Sequence, residues 1–82
     1  MDLVALGFAD CTLGRAAECN TRVEAAFRAD GELNTAKAQH NLAEALVGAH
    51  DSGTADEHFL QAYELDPQNT TYRIDYESVQ SH

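Results

Sequence analysis

This chain has little of three things: basic residues, proline and long apolar runs. Five Lys and Arg residues, with Lys37 as the sole lysine, stand against 14 Asp and Glu, which gives a formal net charge of −9. Such a surface repels phosphate, so we expect no nucleic acid and no anionic membrane as partner, whereas a basic protein segment is favoured. No apolar run approaches the roughly 20 residues of a membrane span. The N-terminus carries an acid where a signal peptide carries basic residues, and we therefore expect a soluble, cytoplasmic protein.

The length limits the chain to one small domain, residues 1–82. A chain of this size buries only about 60% of the surface that it exposes when unfolded, so a deep enclosed active site is not expected. Apolar residues make up 44% of the sequence, and they are mostly alanine and leucine. Because β-branched residues are few, this composition favours helices over sheets.

The two cysteines, Cys11 and Cys19, are eight positions apart and form no CxxC motif. A disulfide would require them to face each other across a helix corner, whereas a reduced cytosolic protein commonly uses cysteine as a small apolar filler. We predict the filler role.

Helical periodicity runs through most of the chain and is interrupted at four places. The interruptions are TLG at 12–14, ADGELNT at 29–35, HDSG at 50–53, and Asp66 with Pro67, the only proline. They leave five helices joined by short turns, so the predicted fold class is all-α.

The two halves of the chain have apolar and small residues at matching positions. Residues Leu6, Cys19, Val23, Ala26 and Gly31 have the same separations as Leu42, Ala55, Phe59, Ala62 and Pro67, with every partner offset by 36 positions. The offset predicts two repeated helical hairpins, residues 1–33 and 36–69, and helical periodicity predicts a last short helix within 70–82. The small residues Gly7 and Ala43 would let the first helix of each hairpin approach the second closely.

The second unit carries a specific pattern: Gln39-x2-Leu42-Ala43-x2-Leu46, then Ala55-x3-Phe59, Ala62 and Pro67. This pattern resembles the tetratricopeptide repeat. The Sel1-like repeat, which also uses Leu-Gly and paired alanines, is the nearest rival. Either resemblance implies two stacked antiparallel hairpins with a capping helix, and a non-enzymatic module that binds another protein.

The resemblance further implies a concave groove lined by the first helix of each hairpin. By helical phase, the residues that would line it are Val4, Phe8, Cys11, His40, Glu44, Val47 and Ile74. An apolar floor beside an acid fits a basic or amphipathic segment. An acidic C-terminal tail is not expected as ligand, because the clamp that the family uses for such tails needs several lysines. The alternative is that the apolar members of this set are ordinary core residues.

The sequence gives little indication of metal binding or catalysis. Cys11, Cys19, His40, His50 and His58 show no pair with the close spacing of a structural zinc site, so we expect scattered, solvated histidines and neither metal nor cofactor. The stretch DSGTADEH, residues 51–58, contains Ser, Asp, Glu and His, yet a catalytic triad needs its members to converge from separate elements. We interpret it as a helix start capped by Ser52 or Thr54, and we expect no enzymatic activity.

A structural role is the alternative to partner binding. The first helix carries Leu3, Val4, Leu6 and Phe8 on more than one face, and no preceding hairpin would cover it. Three alternatives would cover those residues: the chain is a piece of a longer repeat array, it self-associates through this helix as a homodimer, or the partner itself covers the helix.

Overall fold

The computed structural model describes residues 3–80, which are helical throughout apart from short connections. The elements are α1 (Leu3–Thr12), α2 (Ala16–Ala29), a 3-10 helix (Gly31–Leu33), α3 (Ala36–Gly48), α4 (Ser52–Leu65) and α5 (Thr70–Gln80). No strand occurs within 3–80, and the predicted all-α class with five α-helices is confirmed. Residues 1, 2, 81 and 82, which belong to the predicted first repeat and capping helix, lie outside the described part of the chain.

Side-chain caps define where two of the helices begin. The Thr35 hydroxyl accepts a hydrogen bond from the Ala38 N–H at 3.1 Å and starts α3. The Asp51 carboxylate accepts one from the Thr54 N–H at 3.2 Å and starts α4. The prediction of Ser52 or Thr54 as the cap was therefore wrong, because the helix begins one residue earlier and its free N–H groups point at Asp51.

Proline has the predicted role at the end of α4. The Asp66 N–H donates to the Ala62 carbonyl at 3.1 Å, the last such bond before Pro67. Proline has no N–H with which to continue the helix, and it biases the preceding residue away from helical angles. The chain turns here and re-enters a helix at Thr70.

The helices pack in sequence order as two hairpins and a final helix. The first hairpin is formed by α1 and α2, the second by α3 and α4, and α5 packs on α4. The hairpins meet where α3 contacts both α1 and α2. One continuous apolar core results, formed by Cys11, Cys19, Val23, Phe27, Leu42, Ala43, Leu46, Ala49, Ala55 and Phe59.

The helix boundaries keep the 36-residue spacing of the sequence register. The helices α2 (Ala16–Ala29) and α4 (Ser52–Leu65) have 14 residues each, and both ends are displaced by 36 positions. The last residues of α1 and α3, Thr12 and Gly48, are displaced by the same number. Equivalent apolar positions of the two hairpins therefore occupy equivalent places along their helices.

Gly7 is the closest point of contact between α1 and α2. A Cβ atom at this position would overlap Cγ2 of Val23 and lie 3.2 Å from the carbonyl oxygen of Cys19. Only a hydrogen atom fits there without displacement of a backbone atom. Tight packing of this helix pair therefore depends on glycine, as the small residue at this position predicted.

A buried acid in α1 is compensated by a base on α2. Asp10 is 8% exposed, and its Oδ2 lies 3.0 Å from Nε of Arg22. The position equivalent to Asp10 in the second hairpin is Leu46, which is fully buried. The ion pair lets a charged residue occupy a position where the other hairpin has an apolar one.

The cysteines form a disulfide, which overturns the filler prediction. The Cα atoms of Cys11 and Cys19 lie 5.2 Å apart, within the range that a disulfide requires. The corner between α1 and α2 brings them together, because Gly14 adopts a left-handed φ of 80° and reverses the chain direction. The bond joins the last turn of α1 to the first turn of α2. Disulfides are typical of oxidising compartments, so the premise of a reduced cytosolic pair does not hold.

Within residues 3–80, none of the helices combines the length and apolarity that crossing a membrane would take.

Candidate functional site

The seven residues predicted to line a groove lie on α1, α3 and α5, in very different environments. On α3, Glu44 and Val47 are exposed, with Val47 45% accessible, whereas His40 is largely covered. On α1, Val4 and Phe8 are half-buried. The exposed members of the predicted set are therefore Glu44 and Val47 on α3 and Ile74 on α5.

Two members of the set on α1 serve the core. Cys11 is 5% exposed and bonded to Cys19, and the side chain of Phe8 packs against the apolar core. Cys11 therefore has almost no surface to offer to a partner, and Phe8 offers only part of its side chain. The reason is that α1 is covered by both α2 and α3, so its apolar stripe is wider than one neighbouring helix would require.

Ile74 lies on the outward side of α5. It is 53% exposed, whereas Tyr72, Asp75, Tyr76 and Val79 on the same helix are half-buried. Since successive residues of an α-helix are about 100° apart, Ile74 is on the side opposite to these four. Ile74 therefore points away from the side of α5 that packs on α4 and contacts His40.

A shallow cavity of about 230 Å³ lies between α1 and α3 and is lined by Cys11, Thr12, Ala45 and Gly48. Gly48 has no side-chain neighbours within reach of a Cβ atom. The cavity gives this part of the surface a concave form beside Val47, which directly precedes Gly48.

His40 is the centre of a cluster that joins α3 to α5. Its Nε2 contacts Oδ2 of Asp75 directly and lies 3.3 Å from Oε1 of Glu44, one helical turn along α3. The ring is held between Phe59 and Tyr72, with centroid separations of 5.7 and 5.0 Å. Imidazole and carboxylate groups are also metal ligands, and one atom from each of the three lies within 4.8 Å of the others.

A second histidine, His58 on α4, links the two hairpins inside the protein. It is 2% exposed; its Nδ1 lies 2.5 Å from Oε1 of Gln39 on α3, and its Nε2 lies 2.7 Å from Oδ1 of Asn20 on α2. The Gln39 amide is fixed in turn, because its Nε2 donates to Asn34 at 2.7 Å. Polar groups from three helices thus meet at one buried ring.

Burial and two nearby carboxylates act in opposite directions on the pKa of the His58 ring. Removal from water lowers the pKa of His58 from its ordinary value, while the nearby carboxylates of Glu24 and Glu57 act in the opposite direction. Glu24 Oε1 lies 3.3 Å from Nε2. Burial is the largest of these effects, so the pKa of His58 lies below its ordinary value.

The two clusters overturn the prediction of scattered, solvated histidines for His40 and His58, although His50 is exposed. Sequence reasoning also missed Asp75 and Tyr72, which are placed beside His40 by the packing of α5. One signal was present: His40 and Glu44 are four residues apart and therefore neighbours on one helical face. The spacing typical of structural zinc sites concerns cysteine and histidine and does not include a pair of this kind.

The stretch 51–58 forms the first half of α4 rather than a convergent site. Asp51 caps the helix, and the ring nitrogens of His58 face Gln39 and Asn20.

No family model, no curated protein and no solved structure matches this chain.

Proposed function

We propose that this protein is a non-enzymatic interaction module that binds a basic or amphipathic segment of another protein on the exposed side of α3 and the adjoining edge of α1. The observation that carries the proposal is the pair Glu44 and Val47. They are three residues apart on one face of α3, and both are exposed. An apolar contact beside a carboxylate matches an amphipathic segment that carries Lys or Arg.

Charge supports the same choice of partner. The chain has a formal charge of −9, and such an imbalance attracts basic segments at long range and accelerates their association. The equal 36-residue spacing of the helices supports the tetratricopeptide-like interpretation, in which successive hairpins present such a surface. Cytoplasmic location is not part of the proposal, because the disulfide argues for an oxidising environment.

The test compares Val47→Ser with Leu65→Ser in peptide binding. Leu65 is a matched control, since it is 50% exposed on α4 and lines a different cavity, with Asn34, Gln61 and Glu64. Loss of a buried Val contact costs about 1.5 kcal/mol, or about tenfold in affinity. We expect this loss for Val47→Ser only, and an equal effect of the two substitutions would contradict the proposed surface.

Self-association through α1 is the second candidate function. Leu3 at the start of α1 is 38% exposed, and Leu13 just after its end is 67% exposed. Two apolar side chains at the ends of one helix would be covered in a homodimer. Sedimentation equilibrium of the full chain and of the Leu3→Ser, Leu13→Ser double variant tests this: a dimer that the double variant weakens supports it, and a monomer across the concentration range contradicts it.

A further inference from the structure

In the cluster of His40, Glu44 and Asp75, two carboxylate oxygens lie near one imidazole nitrogen. A single hydrogen bond needs only one acceptor. Both Oε1 of Glu44 and Oδ2 of Asp75 approach the same atom, Nε2 of His40. The three ligand atoms come from two helices, α3 and α5, and all lie within 4.8 Å of one another. A single small cation can therefore reach all three.

The spacing fits the coordination of a small divalent ion. Metal–ligand bonds of 2.0 to 2.2 Å in tetrahedral geometry put neighbouring ligand atoms about 3.3 to 3.6 Å apart. The separation of His40 Nε2 and Glu44 Oε1 is 3.3 Å. Asp75 has to retreat slightly from the ring to reach the same separation, and its side chain is 34% exposed and so has room to do so.

The ring is fixed in place, while the carboxylates are on the solvent side. The His40 side chain is 12% exposed and contacts Phe59 and Tyr72, whereas that of Glu44 is 61% exposed. The buried ligand is thus oriented before binding, and an ion can enter from water past Glu44. Two carboxylates and a neutral imidazole provide two negative charges, within a chain whose formal charge is −9.

We propose that His40, Glu44 and Asp75 form a binding site for a divalent transition-metal ion of the Zn²⁺ type, with water as the remaining ligand. One nitrogen and two oxygen donors suit such ions, and three protein ligands leave a coordination position open. The ion would join α3 to α5 at the place where His40 and Asp75 are now in direct contact. This proposal does not rest on the proposed function.

The experiment is calorimetric titration of the untagged, disulfide-bonded full chain with ZnCl₂. We expect one site per chain, and an affinity reduced at least about tenfold in each of Glu44→Gln and Asp75→Asn, since even outer-shell substitutions cost that much at metal sites. Two matched controls, Glu64→Gln on the exposed side of α4 and His50→Asn, retain the wild-type affinity. CoCl₂ in place of ZnCl₂ gives visible absorption bands in the wild type, and these bands are weakened in Glu44→Gln.

Three results would overturn the site: no binding, several weak sites per chain, or equal losses in the control variants. The last two would identify general attraction of cations to an acidic surface, and no binding would leave His40 in an ordinary ion pair. Thermal unfolding checks the folding of the variants. Zn²⁺ raises the Tm of the wild type and of Glu64→Gln but not that of Glu44→Gln, because only a ligand that binds the native state stabilises it.

Discussion

His40 on α3 and Asp75 on α5, 35 residues apart in the chain, are in direct contact through Nε2 and Oδ2. The contact attaches the last helix to the first helix of the second hairpin, in addition to the packing of α5 on α4. The stacking of Tyr63 on Tyr76, with centroids 5.8 Å apart, joins α5 to α4. The final helix is therefore positioned by polar and aromatic contacts as well as by the packing of Tyr76 and Val79 on the apolar core.

Removal of the disulfide is expected to destabilise the protein strongly. The bond between Cys11 and Cys19 closes a loop with a sequence separation of 8, for which chain entropy alone predicts about 2.5 kcal/mol. We expect the Cys11→Ala, Cys19→Ala double variant to lose at least about this much free energy of unfolding in urea.

A reducing agent provides the control for this prediction. It lowers the stability of the wild type and leaves the double variant unchanged, because the variant has no bond to break. Equal wild-type stability with and without the reducing agent, after thiol titration has shown the bond intact at the start, would contradict a stabilising role.

Gly7→Ala is expected to destabilise the first hairpin. The added methyl group would overlap Val23 Cγ2 and crowd the Cys19 carbonyl, and overpacking of this kind costs about 1 to 3 kcal/mol. Gly53→Ala is the matched control, because a Cβ there meets nothing within 4 Å and alanine is the better helix former. Urea denaturation of both variants measures the difference. A Gly7→Ala protein as stable as Gly53→Ala would show that α1 and α2 leave room for a methyl group at this position.

His58 is expected to titrate below the ordinary histidine range. Since burial lowers its pKa in the folded state, the unfolded chain binds more protons than the folded one between the folded pKa and about 6.5. The contribution of His58 to stability is therefore fully present above about pH 6.5 and is lost as the pH falls toward the folded pKa. NMR titration of the ring in the folded protein and in the urea-unfolded chain measures the shift.

Stability measurements complete that test. The stability of the wild type relative to His58→Gln falls on acidification below about pH 6.5, by at most about 1.4 kcal/mol per pH unit. Glu24 and Glu57 are the charged groups that oppose this effect. A His58 midpoint above about 6.5 would show that these carboxylates outweigh burial.

The backbone could be predicted from the sequence to a large extent, because its signals are local. Helical periodicity, the break at Gly14 and the stop at Pro67 each act within a few residues of their own position. The close approach of α1 and α2 at Gly7 could be predicted because a small residue stands there, as Ala43 does at the equivalent position of the second hairpin. These features depend on spacing along one chain segment, which the sequence displays directly.

The side-chain clusters could not be predicted, since they depend on the angles between helices. The bond from Cys11 to Cys19 requires the left-handed turn at Gly14, and the histidine clusters require α5 and α2 to approach α3 and α4 from particular sides. An interhelical angle follows from the shapes of all the packed side chains together. Helical phase alone thus placed Ile74 in the groove, although it lies on the outer side of α5.

The most direct test of the proposed function is fluorescence titration of a labelled basic amphipathic helix with the untagged protein at low and high salt. We expect saturable binding that weakens as salt screens the charge, and that falls about tenfold in Val47→Ser but not in Leu65→Ser. An acidic peptide of equal length and apolar content should not bind. Tighter binding of the acidic peptide, or basic-peptide binding that is indifferent to Val47→Ser, would contradict the proposal that the exposed side of α3 receives a basic partner.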